Sequence, residues 1–198
     1  MKRLFAFAFS IVVALLVISC AKSPDEQIQQ AEAAMEAAEA AGAQQYAPEA
    51  WNQAKQAMER MNAELSAQDH KFILFRNFNT ARTLADEATN AANQAKAEAD
   101  KKKAQLRADV TKMIADVRST LQSAQSQLSA LPRTAAVNTA NLRSKLDAAG
   151  RLLGKAQSDM GAERFDSAMA SAGDARDNIV EVLRAIEQAT PRPAVRKR

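Results

Sequence analysis

Between Pro48 and Pro132 the chain contains neither glycine nor proline, and alanine, glutamine and charged residues dominate that stretch. Alanine has the strongest intrinsic helix propensity, whereas glycine and proline are the usual punctuators of helices. Strands would need β-branched and aromatic side chains, which are scarce here. The bias extends to the whole sequence: 45 of 198 residues are alanine, against five glycines, five prolines and six aromatics beyond residue 10. With 47% apolar and 25% charged residues, the chain has enough apolar surface to order itself. The expected fold class is all-α: an elongated antiparallel helical bundle of coiled-coil-like hairpins, about five helices with one long shared helix. Each buried CH₂ contributes only about 0.8 kcal/mol, so an alanine-rich chain must gain stability from many small contacts along long helices.

Local signals divide the chain. Ser23, Pro24 and Glu26 resemble a helix start, with a serine cap, proline at the first helical position and a glutamate three residues after the cap. That helix carries Ile28, Ala31, Met35 and Ala38 on one face and stops at Gly42. A second starts near Pro48 with Trp51, Ala54, Met58, Met61 and Leu65 on one face. A break is expected over 69–77, because Phe72, Ile73, Leu74, Phe75 and Phe78 share no single helical face. From about Asn79 a helix runs to Leu131 and would reach about 80 Å. Its residues Val110, Ile114, Val117, Leu121, Ala124, Leu128 and Leu131 repeat with the 3.5-residue period of a coiled-coil seam. A fourth helix shows Leu142, Leu146, Ala149, Leu153, Ala156 and Met160, and a fifth runs from Phe165 to Ala189 before Pro191 and Pro193. Phe78, Ala81, Ala85 and Ala88 share their spacing with Phe165, Ala168, Ala172 and Ala175, displaced by 87 residues. Chance matching of alanine-rich helices and a true duplication of helical hairpins both account for that spacing.

The first twenty residues carry the most specific signal. Lys2 and Arg3 precede an uncharged run from Leu4 to Ile18, which ends in Val17, Ile18, Ser19 and Cys20. A basic head and an apolar stretch too short for a comfortable membrane span make a secretory signal peptide. Its end resembles the lipobox of bacterial lipoproteins. That resemblance implies cleavage between Ser19 and Cys20, acylation of Cys20 (a covalent lipid of palmitate type, and no other cofactor) and membrane attachment, which several acyl chains make stable. Ala21, rather than aspartate, follows the cysteine. By the sorting rule of enteric bacteria this implies the outer membrane, facing the periplasm, for a Gram-negative source. The expected organisation is a signal peptide over 1–19, a lipidated tether over 20–24, an alanine-rich helical domain over 25–131, a C-terminal hairpin over 132–190 packing on the long helix, and a basic disordered tail over 191–198. Removing Lys2 and Arg3 lowers the formal charge of +4 to +2, so no nucleic-acid partner is expected.

Residues 42–57, GAQQYAPEAWNQAKQA, and 71–99, KFILFRNFNTARTLADEATNAANQAKAEA, resemble a family of bacterial lipoproteins with an alanine-rich helical domain of unknown function. Tyr46, Ala47 and Pro48 match its aromatic–alanine–proline element. Similar domains occur ahead of OmpA-like peptidoglycan-binding domains, and the resemblance brings no catalytic residue.

No catalytic constellation is legible. One histidine and one cysteine cannot make a zinc site of standard ligands, and the glycines at 42, 150, 154, 161 and 173 form no phosphate loop. His70 beside Asp69 reads as a solvated or turn-packing histidine. An enzyme is therefore not expected, and neither catalytic nor metal residues are assigned. The expected function is a membrane-anchored periplasmic lipoprotein acting as structural scaffold, spacer or adaptor in the cell envelope, with envelope proteins or peptidoglycan as partners and self-association through the long seam. The alternative is a binding module or chaperone-like carrier for lipid or unfolded polypeptide, using Met58, Met61, Met113 and Met160 as adaptable contacts. Phe72, Phe75 and Phe78 are a candidate partner patch if exposed and turn packing if buried. Arg196, Lys197 and Arg198 are candidate cell-wall contacts.

Overall fold

The computed structural model describes residues 23–132 and 137–189. Ser19, Cys20, Arg196, Lys197 and Arg198 lie outside the described residues. The described residues form an all-α helical bundle: α1 Asp25–Ala40, α2 Ala43–Tyr46, α3 Pro48–Asp69, a 3₁₀ turn Ile73–Phe75, α4 Asn79–Ser129, α5 Thr139–Gly161 and α6 Phe165–Ala189. The break over 69–77 is present. Two compact units divide between Lys102 and Lys103, inside α4 rather than at its C-terminal end near 131. The seam composition changes there: Ala81, Ala85, Ala88, Ala92, Ala95 and Ala99 are buried before the division, and Val110, Ile114, Val117, Leu121, Ala124 and Leu128 after it.

The first unit is a three-helix bundle closed by alanine. Ala31 of α1 clusters with Ala57 and Met61 of α3 and with Ala85 and Ala88 of α4. Ala38 and Ala41, further along, cluster with Ala50 and Ala54, earlier in α3, and with Ala92, Ala95 and Ala99, later in α4. Positions in α1 and α4 rise together while those in α3 fall, so α3 is antiparallel to both. The start of α1, the end of α3 and the start of α4 therefore share one end of this unit. Trp51, Met58 and Leu65, expected on the buried face of α3, are only half-buried at its edge, and Ala50, Ala54, Ala57 and Met61 fill the centre. A side chain one methyl deep lets helix backbones approach closely, toward the short end of the usual 8–10 Å range.

At the opposite end α1 stops as expected. Ala41 caps it, and Gly42 follows with φ +76°, a left-handed conformation that L side chains adopt only with strain. A Cβ there would also meet the Tyr46 ring at 3.1 Å. The sequence signals no helix between Gly42 and Pro48, but the four-residue α2 occupies that stretch, with Tyr46 and Trp51 packed against the alanine cluster. The serine cap expected at Ser23 does not form: Pro24 occupies the cap position without a side-chain hydrogen bond, and its carbonyl accepts the Ile28 N–H. Pro24 is itself fully buried.

The second unit repeats the plan with larger side chains. Leu142, Leu146, Ala149, Leu153 and Ala156 of α5 and Phe165, Ala168, Ala172, Ala175, Ile179, Val182 and Ile186 of α6 are buried beside the second half of α4. Met160, Ala189 and Leu131, expected on the seams, are half-buried at their ends. Asn138 caps α5 by accepting the Asn141 N–H at 3.1 Å. All eight positions of the 87-residue spacing are buried, with Phe78 and Phe165 plugging the starts of their helical stripes.

Candidate functional site

Two helical corners, one in each unit, carry most of the polar chemistry. In the first, nine residues (70–78) join α3 to α4. Gln68 is buried near the end of α3; its amide donates to Glu64 at 2.7 Å and its carbonyl oxygen accepts the Asn77 N–H at 3.0 Å. Arg76 reaches back to exposed carbonyls at and just past the end of α3, where intrahelical partners run out. Its Nη2 donates to the Asp69 carbonyl at 2.8 Å and its Nε to the Lys71 carbonyl at 3.1 Å, while Nη1 lies 3.6 Å from the Asp69 carboxylate. Asn77 then accepts the Asn79 N–H at 3.0 Å, which starts α4.

The loop so held displays four apolar side chains to solvent. Phe72 is 67% exposed, Ile73 59%, Leu74 70% and Phe75 75%, and these are the exposed large hydrophobics among the described residues. The Phe72 and Phe75 rings face each other obliquely, with centroids 6.3 Å apart. Phe78, grouped with them on sequence, is not part of this surface: at 4% exposure it is a core residue. The separation follows from the 3₁₀ turn, which carries 73–75 outward before Phe78 returns to the bundle. His70 is exposed beside Asp69, whose carboxylate pairs with Arg76 instead.

In the second corner only three residues, Ala162, Glu163 and Arg164, join α5 to α6. Its centre is Asp159, whose side chain is 6% exposed. One carboxylate oxygen accepts Arg164 Nη2 at 2.6 Å and Nε at 3.1 Å; the other accepts Lys155 Nζ at 2.7 Å and Ser167 Oγ at 2.6 Å. Lys155 also donates to Ser171 at 3.0 Å. The hydrogen bonds from Lys155, Ser167 and Arg164 hold the Asp159 carboxyl well below the usual carboxylate range, against the opposing cost of desolvation. Glu163 follows at φ +56°, unusual for a residue with a side chain, and is held there by Arg107 at 2.8 Å and Lys103 at 3.3 Å from α4. Sequence reasoning missed Asp159. The signal was present as Lys155 and Asp159 one helical turn apart, then Arg164 and Ser167, but only a closed corner makes that spacing converge.

Because the folded-state pKa of Asp159 is depressed, its contribution to stability is present above the ordinary aspartate value of about 3.9 and is lost as pH falls below it. In urea titrations at pH 7 and pH 3, Asp159→Asn is expected to be less stable than the parent chain at pH 7 and to lose less on acidification. Glu181, paired with Lys145, is lowered in the same direction but is an exposed pair of small worth.

The methionines considered as carrier contacts divide. Met61 is in the alanine core, Met58 and Met160 are half-buried, and Met113 lines an open groove of about 340 Å³ with Asp109, Lys112, Asp116, Val117 and Arg176. Of the basic run at 101–103, Lys101 and Lys102 are exposed while Lys103 is committed to Glu163. Among the described residues no group of three or more His, Cys, Asp or Glu side chains is placed to hold a metal ion, and no helix is long and apolar enough to cross a membrane.

Residues 26–110 match the family model described as Domain of unknown function (DUF4398). The match covers the first unit and ends at Val110, the first buried residue of the valine–isoleucine–leucine seam. No match is found among the curated proteins or among the solved structures.

Proposed function

We propose that this chain, which carries a DUF4398 domain over residues 26–110, is an envelope lipoprotein attached through acyl chains on Cys20. Its helical units serve as a periplasmic scaffold or adaptor, at the outer membrane for a Gram-negative source. The observation that carries the reading is how directly the lipobox-like Val17–Ile18–Ser19–Cys20 sequence leads into the fold. Only Ala21, Lys22 and Ser23 separate Cys20 from the fully buried Pro24. Three residues leave no length for a flexible stalk, so attachment at Cys20 holds the first unit at the membrane surface. The seams support a structural role, because their alanine, leucine and phenylalanine side chains are spent on helix contacts.

The scaffold reading is tested by crosslinking in intact envelopes, with muramidase digestion to expose any linkage to peptidoglycan through Arg196, Lys197 or Arg198. Specific envelope-protein or cell-wall adducts, with impaired envelope integrity in a deletion strain, are the expected result. A strain of normal integrity that yields no adduct contradicts a scaffold.

A further inference from the structure

The four exposed apolar residues of the α3–α4 loop form a surface that the fold does not require. The second corner turns between antiparallel helices of the same plan, and plugs the next helix with an equivalent phenylalanine, using three residues where the first uses nine. In each an arginine of the turn reaches back to an aspartate near the end of the preceding helix, Arg76 to Asp69 and Arg164 to Asp159. From the aspartate to the buried phenylalanine the first corner is three residues longer than the second, and only the first presents an apolar run that stands in solvent.

The geometry points to a lipid bilayer as its occupant, with Phe72, Ile73, Leu74 and Phe75 entering the membrane interface to which Cys20 is attached. This rests on the lipoprotein reading for the identity of that membrane. The antiparallel order of the first unit puts the start of α1 and the α3–α4 loop at the same end. Pro24 fixes the entry of the chain there, and four residues can span at most about 14 Å. A bilayer holding an acylated Cys20 therefore lies against the end that presents the loop, not against the opposite end with α2.

The loop suits that environment. Aromatic and aliphatic side chains on a short segment partition into the headgroup–acyl boundary, and flanking basic side chains can keep their charges at the surface while their stems follow the apolar residues. Lys71 and Arg76 flank the apolar run. Backbone polar groups taken from water need internal partners. Here the Phe75 N–H donates to the Phe72 carbonyl at 2.8 Å, the Lys71 N–H to the Gln68 carbonyl at 3.0 Å, and the carbonyls of Asp69 and Lys71 accept from Arg76. The short tether brings this end of the first unit to the membrane, and a second attachment point next to the acyl chains would fix its rotation and tilt there.

The test uses the full-length precursor processed in cells and reconstituted into vesicles of phosphatidylethanolamine and phosphatidylglycerol. An environment-sensitive fluorophore is placed at Leu74→Cys, or at Gln44→Cys in α2 as the control at the far end of the same unit. Acylation of Cys20 is read separately by mass. Lipids brominated along their acyl chains are expected to quench the label at 74 at least threefold more than the label at 44, and Phe72→Ser/Phe75→Ser in the Leu74→Cys background should remove most of that difference. Equal, weak quenching at both positions overturns the inference, as does an unquenched label at 74 whose site instead crosslinks to a protein in intact cells. An unacylated Cys20 removes the lipoprotein reading, while Leu74→Cys in a Cys20→Ser background, whose single thiol reports the loop alone, still tests bilayer contact by the same quenching, so the two failures are distinguishable.

Discussion

Phe165→Ala is expected to cost about 3–5 kcal/mol, a large share of the roughly 5–15 kcal/mol that holds an ordinary domain together. Phe165 heads the largest fully buried side chains and is 2% exposed. It sits immediately after Arg164, which is tied to Asp159 across the corner, so the backbone cannot easily collapse into the space the ring leaves. Urea unfolding followed by circular dichroism should show a lower midpoint, and hydrogen exchange should place the loss in α5 and α6. Phe78→Ala makes the same change in the first unit and should place its loss in α3 and the first half of α4. A cost below about 1 kcal/mol at Phe165 would contradict the role assigned to the aromatic plug.

The second large effect runs the other way, toward excess volume. Ala88 is fully buried among Ala31, Ala57, Met61 and Ala85, where three helices meet. Leucine at this position adds three carbons to a seam whose width is set by methyl groups, so either the helices separate along their length or side chains leave their preferred rotamers. Overpacking of this kind costs about 1–3 kcal/mol at a single site, and the upper part of that range is expected here because rigid helix backbones supply the neighbours. Ala97→Leu, two and a half helix turns away on the exposed face of α4, should stay within about 0.5 kcal/mol of the parent chain. A comparison of their urea midpoints separates packing from helix propensity, since both variants make the same change to the backbone's preference. Equal midpoints would mean that the alanine seam is not closely packed.

Much of this architecture was readable because helix ends and seams have local signatures. Proline at the first position of α3, the left-handed Gly42 after α1 and the 3.5-residue spacing through Leu128 each act over a few residues. The apolar run around Phe72 marked a break in the same way. What it could not mark was which of its members turn inward: Phe78 and Phe75 are three residues apart and chemically identical, and only the turn between α3 and α4 buries one and exposes the other. The clasp around Asp159 was hidden for a related reason, since its donors come from both sides of a corner. The division at Lys102–Lys103 was hidden because it falls inside an unbroken helix, where backbone signals are silent and only the change from alanine to larger seam residues records it. The Ser23 cap is the converse case, a local signature that the buried Pro24 overrides.

Whether the first unit is held against a membrane through Cys20 is decided by intact mass measurement of the native protein recovered from the membrane fraction of its own cells. The expected species is a chain that begins at Cys20 and carries the added mass of its acyl groups. A chain that retains residues 1–19, or that carries an unmodified thiol at Cys20 and partitions with the aqueous fraction, would contradict it.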